Sequence, residues 1–259
     1  MSNELISVVI PCFNQATYLP FTVESVIASS YQAIEIIIVN DGSTDDSLFV
    51  AEQLKSKYPG IHIIDQPNGG VSKARNAGMR MAKGEYILPL DGDDLISTDY
   101  IEKAIEILRS NLAVKVVYCN AVKFNEQGQK KWKLKPFSLR KLATDNMIFV
   151  SGIFRKKDAF NFGGFAEDMT MGREDWEFWI NMLKNGGEAV KLPIIGFYYR
   201  LTPNSKRKRT GTKEKKKERI DYLNKKHADF FLKTINGPLR YNRSWSNTYN
   251  TFLKMIARL

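Results

Sequence analysis

Three carboxylates stand within four positions, Asp91, Asp93 and Asp94, with Gly92 among them. Carboxylates crowded at one point repel each other, and holding them together costs free energy unless a cation sits between them. Gly92 permits a tight turn, so Asp91 and Asp93 can face the same point. Hard oxygen ligands suit Mg²⁺ or Mn²⁺, ions that usually bridge to phosphate oxygens of a substrate. Two plainer roles compete for the same residues. They could cap the helix that starts near Ser97–Thr98, or form a polar surface turn. A second acidic pair, Glu174 and Asp175, opens a helix with Trp176, Trp179, Ile180 and Leu183 on one apolar face. The helix dipole alone favours acids in that position.

The elements around these residues decide whether they can meet. Tyr86, Ile87, Leu88 and Leu90 form a short apolar run of the kind a buried strand shows, ending at Asp91. Leu5–Ile10 reads as a strand stopped by Pro11, and Ile34–Val39 as a second, followed by Asp41. Ile61–Ile64 is a short third. Helices are expected over Thr17–Ser30, from Ser43–Asp45 to about Lys57, and from the Gly-rich stretch 66–78 through Met81. Alternating strands and helices predict a parallel sheet wrapped by helices, in which ligands bind beyond the carboxyl ends of the strands. Pro11–Asn14, Asp41 and Asp91–Asp93 should therefore converge. Further on, strands are expected at Val114–Tyr118, Ile148–Phe154 and Ala189–Tyr199. Gln129–Lys141, with Trp132 and Phe137, reads either as a loop or hairpin over the site or, more plainly, as a solvated surface insertion. No GxGxxG follows the first strand and no GxxxxGK[ST] occurs, so a dinucleotide fingerprint and a P-loop are absent.

The 259 residues, 43% hydrophobic, suffice for one large domain and an appendage. No apolar run reaches the roughly 18 residues that would span a bilayer, and the N-terminus shows no basic leader segment. Cys12 and Cys119 form no disulfide framework or metal motif, so a reducing cytosol is the simplest compartment. The net charge of +11 is unevenly placed: residues 201–259 hold 16 Lys/Arg against 4 Asp/Glu. The chain divides near Leu201–Ser205 into a chemical unit, 1–200, and a basic tail, 201–259, with runs at Lys206–Arg209 and Lys213–Arg219. Two stripes at helical spacing follow, Ile220, Leu223, His227, Phe230 and Phe231, then Trp245, Tyr249, Phe252, Leu253 and Ile256. The tail could pack on the chain's own domain or on a partner subunit, or lie on an anionic membrane surface. No recognition motif supports nucleic-acid binding, and none is expected. His62 and His227 are read as structural.

Six segments in order, SVVIPCFNQATYL, VNDGSTDDS, NGGVSKARNAG, GEYILPLDGDD, GGFAE…GREDWEFWINMLKNGG and FYYR, resemble the family 2 glycosyltransferases over roughly residues 5–200. The resemblance implies an α/β GT-A fold, a Rossmann-like, mostly parallel sheet, here with a basic helical extension. It implies an inverting transfer from a nucleotide-sugar donor, UDP-linked, to a saccharide or lipid-linked acceptor. By this resemblance Pro11, Phe13 and Asp41 hold the base and ribose, and Lys73 or Arg75 lies near the base or diphosphate, with a structural salt bridge as the competing role for Arg75. Asp91-Gly92-Asp93 is the DxD motif, with Asp91 near the ribose and Asp93 on the Mn²⁺ or Mg²⁺ ion. Asp175, with Glu174 second, is the general base, and Arg200, or a Lys/Arg just after it, closes over the diphosphate. Polymerising members carry QxxRW and membrane spans. The nearest string here, Gln129–Trp132, lacks the Arg, so transfer of single sugars is expected. Attachment at the inner face of the membrane and a homo-oligomer are open partner readings. A nucleotidyltransferase and a non-catalytic nucleotide- or saccharide-binding protein are the competing functions.

Overall fold

The computed structural model describes residues 4–202 and 210–257. The predicted turn at Pro203–Asn204, the Lys206–Arg209 run and Arg258 lie outside the described residues. Strands β1 (Ile6–Cys12), β2 (Ile34–Asp41), β3 (Ile61–Gln66) and β4 (Tyr86–Pro89) alternate with helices α1 (Leu19–Ile27), α2 (Ser47–Lys57) and α3 (Val71–Met81). Then follow β5 (Leu95–Ile96), α4 (Tyr100–Ser110), β6 (Val114–Asn125), β7 (Gly128–Trp132), α5 (Leu139–Leu142), β8 (Ile153–Arg155), α6 (Lys156–Phe160), α7 (Glu174–Leu183) and β9 (Glu188–Arg200). The tail holds α8 (Lys213–Lys226), α9 (Ala228–Ile235) and α10 (Ser246–Ile256).

One sheet runs β3-β2-β1-β4-β8-β6-β9-β5, with β7 hairpinned onto β6. β3, β2, β1 and β4 are mutually parallel, as are β6 and β9, whereas β8 is antiparallel to both β4 and β6. The chain leaves β1 for β2 on one side and later returns to β4 on the other. β1 is thus the switch point, and a crevice opens beyond its carboxyl end.

Pro11 does not stop β1. The strand continues to Cys12, with Pro11 in register with Val39 of β2. Val9 accepts from Leu90 on the β4 side. Pro11, two residues on, faces that same side, where β4 pairing ends at Val9. Its missing N–H therefore breaks no ladder bond. The expected strand Ile148–Phe154 shrinks to Ile153–Arg155. Residues 148–151 are buried but irregular, and Phe149 stacks on Phe197 at 4.3 Å. A short buried apolar run does not by itself report strand pairing. Gly78 lets α3 lie close on the sheet, since a Cβ there would meet Val9 Cγ1 at 2.3 Å.

Of the two apolar stripes of the tail, only the first docks on the main domain. Ile220, Leu223, Phe230 and Phe231 are buried. The expected single helix breaks at His227, whose buried Nε2 meets the buried Glu177 Oε1 of α7 at 2.9 Å, with Lys226 Nζ at 3.0 Å from the same oxygen. α7 is therefore enclosed on both faces, and Glu177, on its polar side by spacing, has a tail cation as partner. The second stripe points outward: Trp245, Tyr249, Phe252, Leu253 and Ile256 are all exposed. Among the described residues no helix is long and apolar enough to cross a membrane.

Candidate active site

The loops after β1 and β2 are laced together beyond the sheet edge. Asn14, in the left-handed region at φ 54°, receives Thr44 N–H on its side-chain oxygen at 2.8 Å, and its own N–H donates to Ser43 Oγ. Asp45 accepts from Ala16 N and Ser47 N. Asp41 is buried, and its two oxygens accept from Gln66 Nε2, Gly69 N and Gly70 N at 2.7 to 2.9 Å. Asp41 thus moulds the Gly-rich loop. Lys73, exposed in the first turn of α3, lays its stem over Gly69. Phe13, 43% exposed, stands just past β1.

Arg75 distinguishes itself from Lys73 by position. It is buried, and its guanidinium forks between Asp91 Oδ1 at 2.6 Å and Glu174 Oε1 at 3.0 Å. Two acidic motifs 83 positions apart are joined through one planar cation. Burial opposes the charge on Arg75, but Asp91 and Glu174 outweigh it and raise its pKa.

The DGDD turn closes with Asp94 N donating to Asp91 O at 2.9 Å. Gly92 packs against Gln15, where a Cβ would meet Gln15 Oε1 at 2.4 Å. Burial, with the charge of Asp91 added, pushes Asp93 up to about 7, against Arg200 and a hydrogen bond from Gln15. Asp94 is raised further by burial and by both neighbouring carboxylates. Arg200 latches this turn: its N–H donates to Asp94 Oδ1 and its Nε to Asp93 O, both at 2.8 Å, and its guanidinium lies over Phe124 and Tyr18. The crowded hard oxygens of this turn, with the Asp93 carboxyl raised by burial and by its neighbour, fit Mg²⁺ or Mn²⁺ held by one or two carboxylates, with phosphate and water completing the shell. No group of three His, Cys, Asp or Glu is placed to hold a metal by itself among the described residues.

Asp91, Asp94, Glu174, Asp175 and Arg75 line one cleft of about 620 Å³. Asp175 Oδ2 accepts from Asn146 Nδ2 at 2.7 Å. Burial, with Glu174 beside it, pushes the Asp175 carboxyl up to about 6, and Arg173 and Arg75 oppose the rise. A carboxyl poised near 6 in a cleft is suited to take a proton from a hydroxyl near neutral pH. The β6–β7 hairpin does cover this cleft, through Trp132, Lys133 and Lys135, and the tail adds Lys216, Arg219 and Arg243. Asn146, Gln15 and the tail arginines were not legible from sequence. Asn146 lies in an aperiodic stretch, Arg219 sits within a run of like residues, and Arg243 stands alone between polar neighbours.

Residues 7–178 match glycosyl transferase family 2. The chain is 35% identical over 220 residues to an uncharacterized glycosyltransferase, EpsJ, of Bacillus subtilis, covering 78% of this chain and 62% of that protein. It is 34% identical over 143 residues to a chondroitin synthase of Pasteurella multocida, covering 54% of this chain and 15% of that protein. The chain thus spans less than two thirds of either relative. Among solved structures, Staphylococcus aureus TarS 1–349 with UDP-GlcNAc aligns with a TM-score of 0.72 at 20% identity, covering 95% of this chain and 71% of that one. The mannosyltransferase PcManGT of Pyrobaculum calidifontis, with GDP-Man and Mn²⁺, aligns with a TM-score of 0.68 at 16% identity, covering 96% and 70%. The sheet switching at β1, with acidic turns beyond it, is the GT-A fold, and the chain belongs to glycosyl transferase family 2.

Proposed function

We propose that this chain moves a single sugar from a UDP-linked donor to a hydroxyl of a saccharide or lipid-linked acceptor, with inversion, in cell-surface polysaccharide synthesis. The observation that carries the reading is the cleft that Asp91 and Asp94 of the DGDD turn share with Asp175, with Arg75 clamped between Asp91 and Glu174. Phe13 offers an exposed face to the base beyond the buried Pro11, and Asp41 sets the loop that Lys73 overhangs. Asp91 and Gly92 border the ribose and diphosphate. A divalent ion on Asp93, Mn²⁺ or Mg²⁺, would supply Lewis-acid stabilisation of the departing diphosphate. Arg200 adds positive charge beside that turn. Asp175 takes the acceptor hydroxyl's proton as its oxygen attacks the anomeric carbon. The bond from that carbon to the diphosphate breaks on the opposite face, which inverts the centre.

Calorimetric titration of UDP, GDP and dTDP tests the donor assignment. UDP is expected to bind with Mn²⁺ at least about ten-fold more tightly than without it, a difference of about 1.4 kcal/mol. Asp93→Ala should remove that difference. Equal UDP affinity with and without metal would refute the metal assignment, and failure of all three nucleotides to bind would refute the donor class.

The outward stripe of α10, with exposed Lys254 beside it and Lys233 on α9, supports peripheral attachment to an anionic membrane at its cytoplasmic face. The chain should co-sediment with vesicles containing phosphatidylglycerol and much less with pure phosphatidylcholine. Trp245→Ser with Phe252→Ser should release it. Sedimentation unaffected by those changes would exclude α10 as the anchor.

A further inference from the structure

The cleft beyond Asp175 is more basic than the transfer step requires. Asp145 Oδ1 accepts from Nη1 of both Arg173 and Arg243, at 3.1 and 3.0 Å, and Lys135 Nζ lies 3.6 Å from its other oxygen. Three cations thus share one carboxylate. Arg219, from the tail, is buried beside them. It donates to the carbonyls of Met171, Gly172 and Thr210 at 2.6 to 3.0 Å. Among the described residues no carboxylate lies within ion-pair distance of it. Burial and the nearby Arg173 and Arg243 bring its guanidinium down to about 10.

Docking the tail does not explain this excess. Elsewhere the tail docks by a matched arrangement, Glu177 with His227 and Lys226. Asp175 and Glu174 offset part of this from a distance, but a buried cation whose hydrogen bonds all go to carbonyls is costly unless a further anion arrives. Arg173 also holds a left-handed backbone, φ 63°, immediately before Glu174 and Asp175. Such a conformation is uncommon for a residue with a side chain, and strain of this kind gathers at ligand sites. The place of the cluster follows from the base. An acceptor hydroxyl must reach Asp175, so the groups flanking Asp175 away from the DGDD turn face the rest of the acceptor. Trp132 and Tyr199, with ring centroids 5.5 Å apart, stand on the same wall and offer apolar faces to a sugar ring.

We propose that Arg173, Arg219 and Arg243 bind an anionic group, a phosphate or a carboxylate, carried by the acceptor beside the hydroxyl that Asp175 activates. The acceptor is then a charged chain rather than a neutral glycan. This rests on the reading of Asp175 as the base, and it assigns to the tail a part of the acceptor site.

The test is calorimetry with sn-glycerol 3-phosphate, glucuronate, glycerol and glucose as probes, each with saturating UDP and Mn²⁺ filling the donor side. At least one anionic probe should bind and both neutral probes should not. Which of the two binds separates phosphate from carboxylate. Arg243→Gln and Arg173→Gln, on different elements, should each weaken that binding about ten-fold or more. Lys130→Ala with Lys131→Ala, which removes two exposed cations on β7 outside the cluster, should not. Charged and neutral probes binding alike, no probe binding, or equal losses in the β7 variant would overturn the proposal. UDP affinity is read in the same proteins. Loss of UDP binding in the unaltered chain would refute the donor reading, whereas intact UDP binding without anion binding would refute this subsite alone.

Discussion

Asp175→Asn is expected to lower kcat by about 10² to 10⁴, the range a positioned general base contributes, while UDP affinity stays within two-fold or so of the unaltered chain. The amide keeps the shape of the carboxyl and still meets Asn146, but it cannot accept the hydroxyl proton. The pH profile gives a second reading of the same group. Asp175 must be ionised to act, and its carboxyl stands at about 6. Turnover should therefore fall as pH drops through about 6 and level off above it. Asn146 donates to Asp175 Oδ2 at 2.7 Å, a bond that favours the ionised form. Asn146→Ala should move the acidic limb to higher pH and leave donor affinity unchanged. Unchanged turnover in Asp175→Asn would remove Asp175 from the base role. The same group has a stability signature of opposite sense. Its folded value lies above the ordinary 3.8, so between 3.8 and about 6 the folded state holds more protons than the unfolded. Its contribution to stability is present below that window and is lost as pH rises through it.

Arg75→Met should be the most destabilising single change around the cleft. It removes the Arg75 guanidinium from Glu174, 8% exposed in its side chain, and from Asp91. Breaking a buried pair from one side costs about 3–5 kcal/mol. Asp91 is 30% exposed, so water recovers part of its share and the lower end, about 3 kcal/mol, is expected. The urea midpoint should fall with little change in slope. Activity should fall as well, because the fork of Arg75 sets the spacing between the DGDD turn and the helix that carries Asp175. Arg75→Lys keeps the charge but not the fork, so it should recover part of the stability and little of the turnover. A midpoint unmoved in Arg75→Met would show that the bridge contributes no net stability.

Much of this protein is written locally. The apolar runs of β1, β2 and β4 end where Pro11–Cys12, Asp41 and Leu90–Asp91 stand, because an apolar run bounded by turn residues is a local signal, although the run at 148–154 shows that it does not fix pairing. The acidic turn after β4 and the Glu174-Asp175 pair at the start of α7 were legible for the same reason, and so was the uneven charge of the tail. The first tail stripe was legible as an apolar face, but not what it packs against. What spacing could not supply was everything set by two segments meeting. The order β2-β1-β4 makes β1 the switch point, and this follows from connection geometry rather than from any one strand. Whether Lys73 or Arg75 enters the cleft depends on which face of α3 lies on the sheet, and Gly78 against Val9 decides that face. The break of the tail at His227 depends on where Glu177 stands. The basic wall arises only when tail residues Arg219 and Arg243 reach Arg173 and Asp145. Such pairings are invisible in a linear pattern, because a charge declares its sign in sequence but its energy depends on the burial and the partner that tertiary packing alone provides.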